Sequence, residues 1–138
     1  MWCHLDNSLA EELCFEELIA KDGKTTFKFS DIDNKNYYEV RFNETVYTYR
    51  LIQEFCYICA FDRYDSVDYN RKDVSHYYNI HYTCGSEYLD WFKKVSENLI
   101  GNVKLFNFQI IAEDVVIDII TDELPDIVKI AGTKETKM

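Results

Sequence analysis

The sequence contains little proline or glycine and no long hydrophobic run. One proline and four glycines among 138 residues exclude a collagen-like repeat and a flexible linker. The longest apolar run extends from Phe55 to Phe61, well short of the roughly 18 residues that a membrane span needs. No lysine or arginine precedes Lys21, and the first residues lack the apolar stretch of a secretory signal. We therefore expect a cytoplasmic protein that does not cross a membrane.

Basic residues are also scarce beside acidic ones. Fifteen Lys and Arg against 25 Asp and Glu give a formal net charge of −10, above the magnitude of about 2–8 usual for a small domain. Such a surface repels nucleic acid and anionic lipid, so neither is an expected partner. It attracts basic proteins.

Motifs that bind a cofactor or position a catalytic nucleophile are missing as well. The sequence has no phosphate-binding glycine loop, serine nucleophile elbow or dinucleotide-binding fingerprint. We expect no cofactor. The five cysteines are an odd number in a chain without an export signal, which indicates reduced thiols.

Two segments carry the signals that begin and end helices. Ser86 can cap a helix that Gly101 terminates, and apolar residues at spacings of three or four lie between them. We predict a helix over residues 87–99. A capping-box pattern beginning at Ser8, with Gly23 at the far end, predicts a second helix near the amino terminus. The supporting apolar residues are Leu9, Leu13, Cys14, Leu18 and Ile19 in the amino-terminal segment, and Tyr88, Phe92, Val95 and Leu99 in the other.

Alternation of apolar and polar residues dominates the rest of the chain. Residues 47–61 also fit a helical face, but their aromatic content and lack of a cap favour a strand. Because several of the connecting turns are short, antiparallel pairing is favoured. The sequence therefore predicts a single α+β domain over residues 1–138, mainly antiparallel sheet with one or two packed helices, and a loose basic tail from Lys129 to Met138. The predicted strands lie at residues 27–29, 38–42, 47–61, 77–83, 103–111 and 115–121.

A group of cysteines and histidines nearly fits a zinc site. Cys56 and Cys59 have the Cys-x2-Cys spacing, and His76 and His81 follow them. The two cysteines lie in an apolar run, however, where a strand would direct them to opposite faces. Two small core residues are therefore the favoured interpretation, and a structural zinc module is the alternative.

A second alternative is a small hydrolase or ligand-binding domain. Cys84 lies just before the predicted helix, three positions after His81, and a thiolate beside a histidine is a nucleophile. No glycine-rich oxyanion turn accompanies this pair, and nearby acidic residues would raise the pKa of a thiol. A deep pocket lined by both side chains would support this function.

Acidic residues and tyrosines are interspersed in the longest polar connection, residues 62–73. Tyrosine offers a large contact area at low entropic cost, and carboxylates steer a basic partner. We predict that this segment binds a basic protein partner through Asp62, Tyr64, Asp65, Asp68 and Tyr69. A second acidic group, with no basic residue between Lys104 and Lys129, contains Glu113, Asp114, Asp118, Asp122, Glu123 and Asp126.

Residues 85–99 and 106–128 resemble small acidic, uncharacterised bacterial proteins in which a Ser-x-Tyr-Leu-x-Trp-Phe helix precedes two strands. Those proteins are similar in character to immunity proteins, which bind and mask a toxin domain. The resemblance implies a shared fold and transfers no binding residue. With the charge, it leads us to expect a non-catalytic, immunity-like inhibitor that masks a basic protein such as a toxin domain. An exposed strand edge would also allow homodimerisation. The resemblance is carried by Ser86, Tyr88, Leu89, Trp91, Phe92, Asp118 and Pro125.

Overall fold

The described residues form two antiparallel sheets and one helix. The computed structural model describes residues 3–6, 13–31, 36–53, 80–96, 101 and 103–131. Sheet A has the strand order β1-β6-β7-β8-β5, and sheet B has the order β2-β3-β4-β9. The elements are β1 (Cys3–Asp6), β2 (Leu13–Lys21), β3 (Lys24–Asp31), β4 (Asn36–Phe42), β5 (Val46–Gln53), β6 (Ile80–Thr83), α1 (Glu87–Ser96), β7 (Phe106–Ile111), β8 (Val115–Thr121) and β9 (Asp126–Ala131).

The predicted antiparallel arrangement is confirmed, because every strand pair within the two sheets is antiparallel. Strand β8 has the bounds that the sequence predicted, and β7 ends at the predicted residue, Ile111. Strand β5 confirms the strand at the start of the ambiguous segment, and residues 54–61 lie outside the described ranges. The helix predicted at 87–99 is α1, described through Ser96.

The main core lies between the two sheets. Phenylalanines of sheet B meet aromatic residues of sheet A edge to face: the ring centroids of Phe42 and Phe108 are 5.8 Å apart, and those of Phe27 and Tyr49 are 5.9 Å apart. These inward positions alternate with outward positions along β3 and β4, as in a sandwich of two sheets. The core also includes Leu13, Phe29, Tyr38, Val40, Ile80, Ile110, Ile117 and Ile119.

Helix α1 covers part of the opposite face of sheet A. Its buried residues Tyr88, Leu89 and Phe92 pack with Leu105 and with Ile120 of β8. Because both faces of β8 are covered, every residue of that strand is buried. Within the described ranges, no helix is long and apolar enough to cross a membrane.

The predicted amino-terminal helix is wrong for residues 13–21, which form β2. Strand β2 joins β3 through a two-residue turn, Asp22-Gly23, in which both residues have positive φ (55° and 78°). An Asp-Gly pair with this backbone is typical of a tight β-hairpin. Gly23 therefore closes a hairpin, and it does not end a helix.

A bulge in β2 explains why the sequence imitates a helix. The register with β3 shifts between Phe15 and Glu17, so that one extra residue is inserted into the strand. The inward positions Leu13 and Phe15 are consequently followed by Leu18, and the step of three residues from Phe15 to Leu18 is one that also occurs on a helical face. Residues 7–12, which include the predicted cap, lie outside the described ranges.

The expected loose tail from Lys129 is also wrong at its start. Residues 129–131 belong to β9, which pairs with β4 along its length from Asp126 to Ala131. Ile127 packs against the core between the sheets, and backbone pairing with β4 holds the segment in place. Residues 132–138 lie outside the described ranges.

Candidate functional site

The predicted partner-binding residues Asp62, Tyr64, Asp65, Asp68 and Tyr69 all lie outside the described ranges, as do three residues of the alternative zinc set, Cys56, Cys59 and His76. The structure therefore describes candidate surfaces formed by other parts of the chain.

His81 and Cys84 occupy different environments. His81 lies on β6 and is fully buried, whereas Cys84, in the connection to α1, is exposed. Neither side chain lines the groove at Lys28 or the groove at the Asp22-Gly23 turn. Within the same ranges, no group of three or more His, Cys, Asp or Glu residues is placed to hold a metal ion.

The second acidic group of the sequence divides into three places. Glu113 and Asp114 form the exposed turn between β7 and β8. Asp118, in the middle of β8, is about 1% exposed and contributes nothing to the surface. Asp122 and Glu123 follow the far end of β8, about 20 Å from the first turn by the rise of a strand.

Carboxylates from two connections meet at one end of the sandwich. Glu44 lies between β4 and β5, Asp122 and Glu123 lie between β8 and β9, and Asp126 begins β9. The backbone N–H of Glu44 donates a hydrogen bond to the Glu123 carboxylate, which joins the two connections. Leu124, in the same turn, is 58% exposed. We call these five residues the acidic end.

Neutral groups hold the carboxylates of the acidic end. The Asn43 side-chain amide donates to Asp126 over 2.7 Å, and the Tyr47 hydroxyl donates to Asp122 over 3.1 Å. Among the described residues, no lysine or arginine forms an ion pair with any carboxylate of this group. The acidic end is therefore a partly apolar surface whose described carboxylates accept hydrogen bonds from neutral donors.

The proton affinities of the acidic end reflect this crowding. Partial burial raises the pKa of Glu123 above its ordinary value, and the negative charges of Glu44, Asp122 and Asp126 add to the rise, against the lowering effect of the hydrogen bond from the Glu44 backbone. The pKa of Tyr47 is also raised, first by burial and then by its hydrogen bond to Asp122. The cluster therefore holds its charge at an energetic cost.

A groove crosses the outer face of sheet B, the face turned away from sheet A. It has a volume of about 390 Å³. Lys28 lies in it, with its Nζ 3.6 Å from a Glu17 carboxylate oxygen and 3.7 Å from one of Glu39. We call it the outer groove, and its side chains include Glu16, Glu17, Lys28, Tyr37, Glu39 and Ile130.

A buried polar cluster lies on the helix-facing side of sheet A. The Asp118 carboxylate accepts hydrogen bonds from Arg50 Nε (3.0 Å), Asn107 Nδ2 (3.2 Å) and Gln109 Nε2 (3.1 Å). Cross-strand register continues the row from Gln109 to His81. The hydrogen bonds of this cluster join three strands of sheet A, β5, β7 and β8, and the sequence prediction missed it. Polar residues at alternate positions of the apolar strands β7 and β8 were the available signal.

Helix α1 is tied to this cluster. Ser86 Oγ accepts a hydrogen bond from the Leu89 N–H (3.1 Å), which is the predicted cap, and donates one to Asn107 Oδ1 (2.9 Å). The Arg50 guanidinium carbon lies 4.1 Å from the centre of the Tyr88 ring. Burial raises the pKa of Tyr88, with a further rise from the Asp118 charge, while a hydrogen bond with Thr48 and the Arg50 charge act against it.

Comparison with protein-family models, with curated proteins and with solved structures gave no match.

Proposed function

We propose that the chain is a non-catalytic protein-binding module of immunity-like character, which acts in the cytoplasm and masks a basic protein partner. The observation that carries the proposal is the acidic end. Its carboxylates surround the turn that exposes Leu124 and have no ion pair with a lysine or arginine of the described residues. A cationic surface would supply the missing charge, and Leu124 would supply apolar contact area.

The arrangement suits association better than solubility alone. Charges that merely keep a domain soluble can be spread over the surface, where they repel each other least. At the acidic end, however, the neighbouring carboxylates raise the pKa of Glu123. Neutralisation by a basic partner would relieve this repulsion on binding.

The proposal is tested by isolating the partner with the intact chain and measuring the affinity of the purified pair against salt. We expect a partner with a net positive charge and a dissociation constant that rises as ionic strength rises. An acidic partner, or an affinity independent of salt, would contradict the proposal.

Two matched variants locate the contact. The variant D122N/E123Q neutralises two charges of the acidic end and keeps acceptor oxygens for the Tyr47 and Glu44 hydrogen bonds. The variant E113Q/D114N removes the same charge from the opposite end of β8. We expect the first to weaken binding about tenfold, at roughly 0.7 kcal/mol for each exposed charge, and the second to weaken it much less. Equal losses would mean that net charge alone governs binding.

A further inference from the structure

The outer groove contains two consecutive carboxylates on one face of a strand. Successive side chains of a strand normally point to opposite faces, but the bulge between Phe15 and Glu17 interrupts this alternation. Glu16 accepts a hydrogen bond from Ser30 Oγ (2.6 Å), and Glu17 approaches Lys28. Both glutamates therefore line the same groove.

The cations nearby do not balance the carboxylates. Lys28 lies 3.6 and 3.7 Å from Glu17 and Glu39, beyond good hydrogen-bond distance. Arg41, which lies outside the groove lining, forms a 2.7 Å contact with Glu39. Even when both cations are counted against the three glutamates, the described residues leave one negative charge at the groove, which favours a cationic occupant.

The remaining lining suits a planar cation on an apolar stem. Tyr37 offers an aromatic ring, and Ile130, on β9, is 37% exposed and offers an aliphatic wall. A guanidinium can bind carboxylates through a two-pronged donor set and can stack on an aromatic ring, whereas an ammonium acts as a point charge. An arginine therefore uses more of this lining than a lysine does.

The outer groove and the acidic end lie on one continuous surface. On the outer face of sheet B, Asp126 lies opposite Arg41 in the strand register. The next outward positions along the two strands are Val128 and Glu39, which lie opposite each other at the groove. Two residues of strand separate these pairs, a distance of about 7 Å. A protein interface of ordinary size, about 800 Å² on each partner, covers both places.

We propose that the outer groove receives an arginine side chain of the basic partner, between the Glu16 and Glu17 carboxylates, Tyr37 and Ile130. This inference rests on the proposed function and adds the chemical group that the partner inserts. It also identifies the bulge in β2 as the feature that directs two carboxylates toward that group.

A capped tetra-arginine peptide is the probe, and its isosteric citrulline counterpart is the uncharged control. We expect saturable changes in the amide NMR signals of Glu16, Glu17 and Glu39 with the arginine peptide and none with the citrulline peptide. E17Q should weaken binding about threefold, the loss expected for one exposed charge. Because 54% of the Glu17 side chain is exposed, this variant should fold normally, and its unfolding temperature checks that.

The variants E123Q and E113Q separate this inference from the proposed function. NMR signal changes confined to the acidic end, with binding weakened by E123Q and not by E17Q, would contradict arginine binding in the outer groove. The same result would remain compatible with a basic partner that binds at the acidic end. Equal binding of a capped tetra-lysine peptide would overturn the preference for arginine. Equal weakening by E17Q and E113Q would mean that the peptide responds to overall charge, which would overturn the site. The partner-isolation experiment tests the proposed function independently.

Discussion

Removal of the Asp118 carboxylate should be among the most damaging single changes to this fold. Asp118 is about 1% exposed and accepts three hydrogen bonds, from Arg50, Asn107 and Gln109. Asp118→Leu preserves the approximate size of the side chain and removes all three acceptor contacts. The two amides are themselves about 1% exposed, so water cannot readily replace the lost oxygen atoms.

The expected magnitude follows from these contacts. Removing one partner of a buried charge pair costs about 3–5 kcal/mol. The Arg50 side chain retains 31% exposure, which allows water to compensate in part, whereas Asn107 and Gln109 lack this compensation. We expect Asp118→Leu to lower the free energy of unfolding by about 3–4 kcal/mol. Asp118→Asn keeps one acceptor oxygen but turns donors toward Arg50, and we expect a loss of about 2–3 kcal/mol.

Urea unfolding followed by circular dichroism measures these losses. Asp114→Asn, in the exposed turn before β8, is the matched control and should change the stability by less than about 0.5 kcal/mol. A double-mutant cycle with Arg50→Met should give a coupling of about 1–3 kcal/mol, because the two groups share a direct contact. A loss below about 1 kcal/mol for Asp118→Leu would refute the structural role assigned to the cluster.

Three further changes test other parts of the structure by urea unfolding. The raised pKa of Glu123 means that the folded state binds more protons than the unfolded state between the two pKa values, so its contribution to stability falls as pH rises through that window. Glu123→Gln should therefore be more stable than the native chain at pH 7, by up to about 0.5 kcal/mol. This gain in the free energy of unfolding should shrink toward pH 4.5. An equal gain at both pH values would contradict this reasoning. Ser86→Ala removes the acceptor for the Leu89 N–H and the donor to Asn107, and should lower the free energy of unfolding by about 1–2 kcal/mol. Ser86→Thr, which keeps the hydroxyl, should lower it less. Gly23→Ala forces a side chain into a backbone with φ of 78° and should cost about 1–2 kcal/mol; no loss would show that the hairpin turn can rearrange.

The sequence predicted helix α1 because several signals agree there. A capping serine, acidic residues in the first turn, basic residues in the last turn and apolar residues at helical spacing all favour residues 87–96. In β2, the spacing of apolar residues also suggested a helix, but the structure bears out no further helix signal there. The bulge displaced the inward residues, so that the strand resembled a helix in sequence. The Asp22-Gly23 pair was the better signal there, since it predicts a hairpin by its backbone requirement.

The candidate surfaces were less predictable because they depend on long-range register. Asp118, Glu123 and Asp126 are close in the sequence, yet burial removes the first from the surface while a chain reversal brings the other two near Glu44. The outer groove needs β2, β3, β4 and β9 to align before its residues meet. Local patterns carry no information about that alignment.

The positions of the charges bear on whether acidity serves binding or only solubility. Sheet A has little free surface near its centre, because β8 is buried on both faces. The outer face of sheet B, by contrast, carries no helix among the described residues. At the acidic end adjoining this face, the negative charges of Glu44, Asp122 and Asp126 raise the pKa of Glu123. Since this crowding costs stability that a dispersed arrangement would avoid, we interpret it as support for the proposed basic partner, which would neutralise the charges.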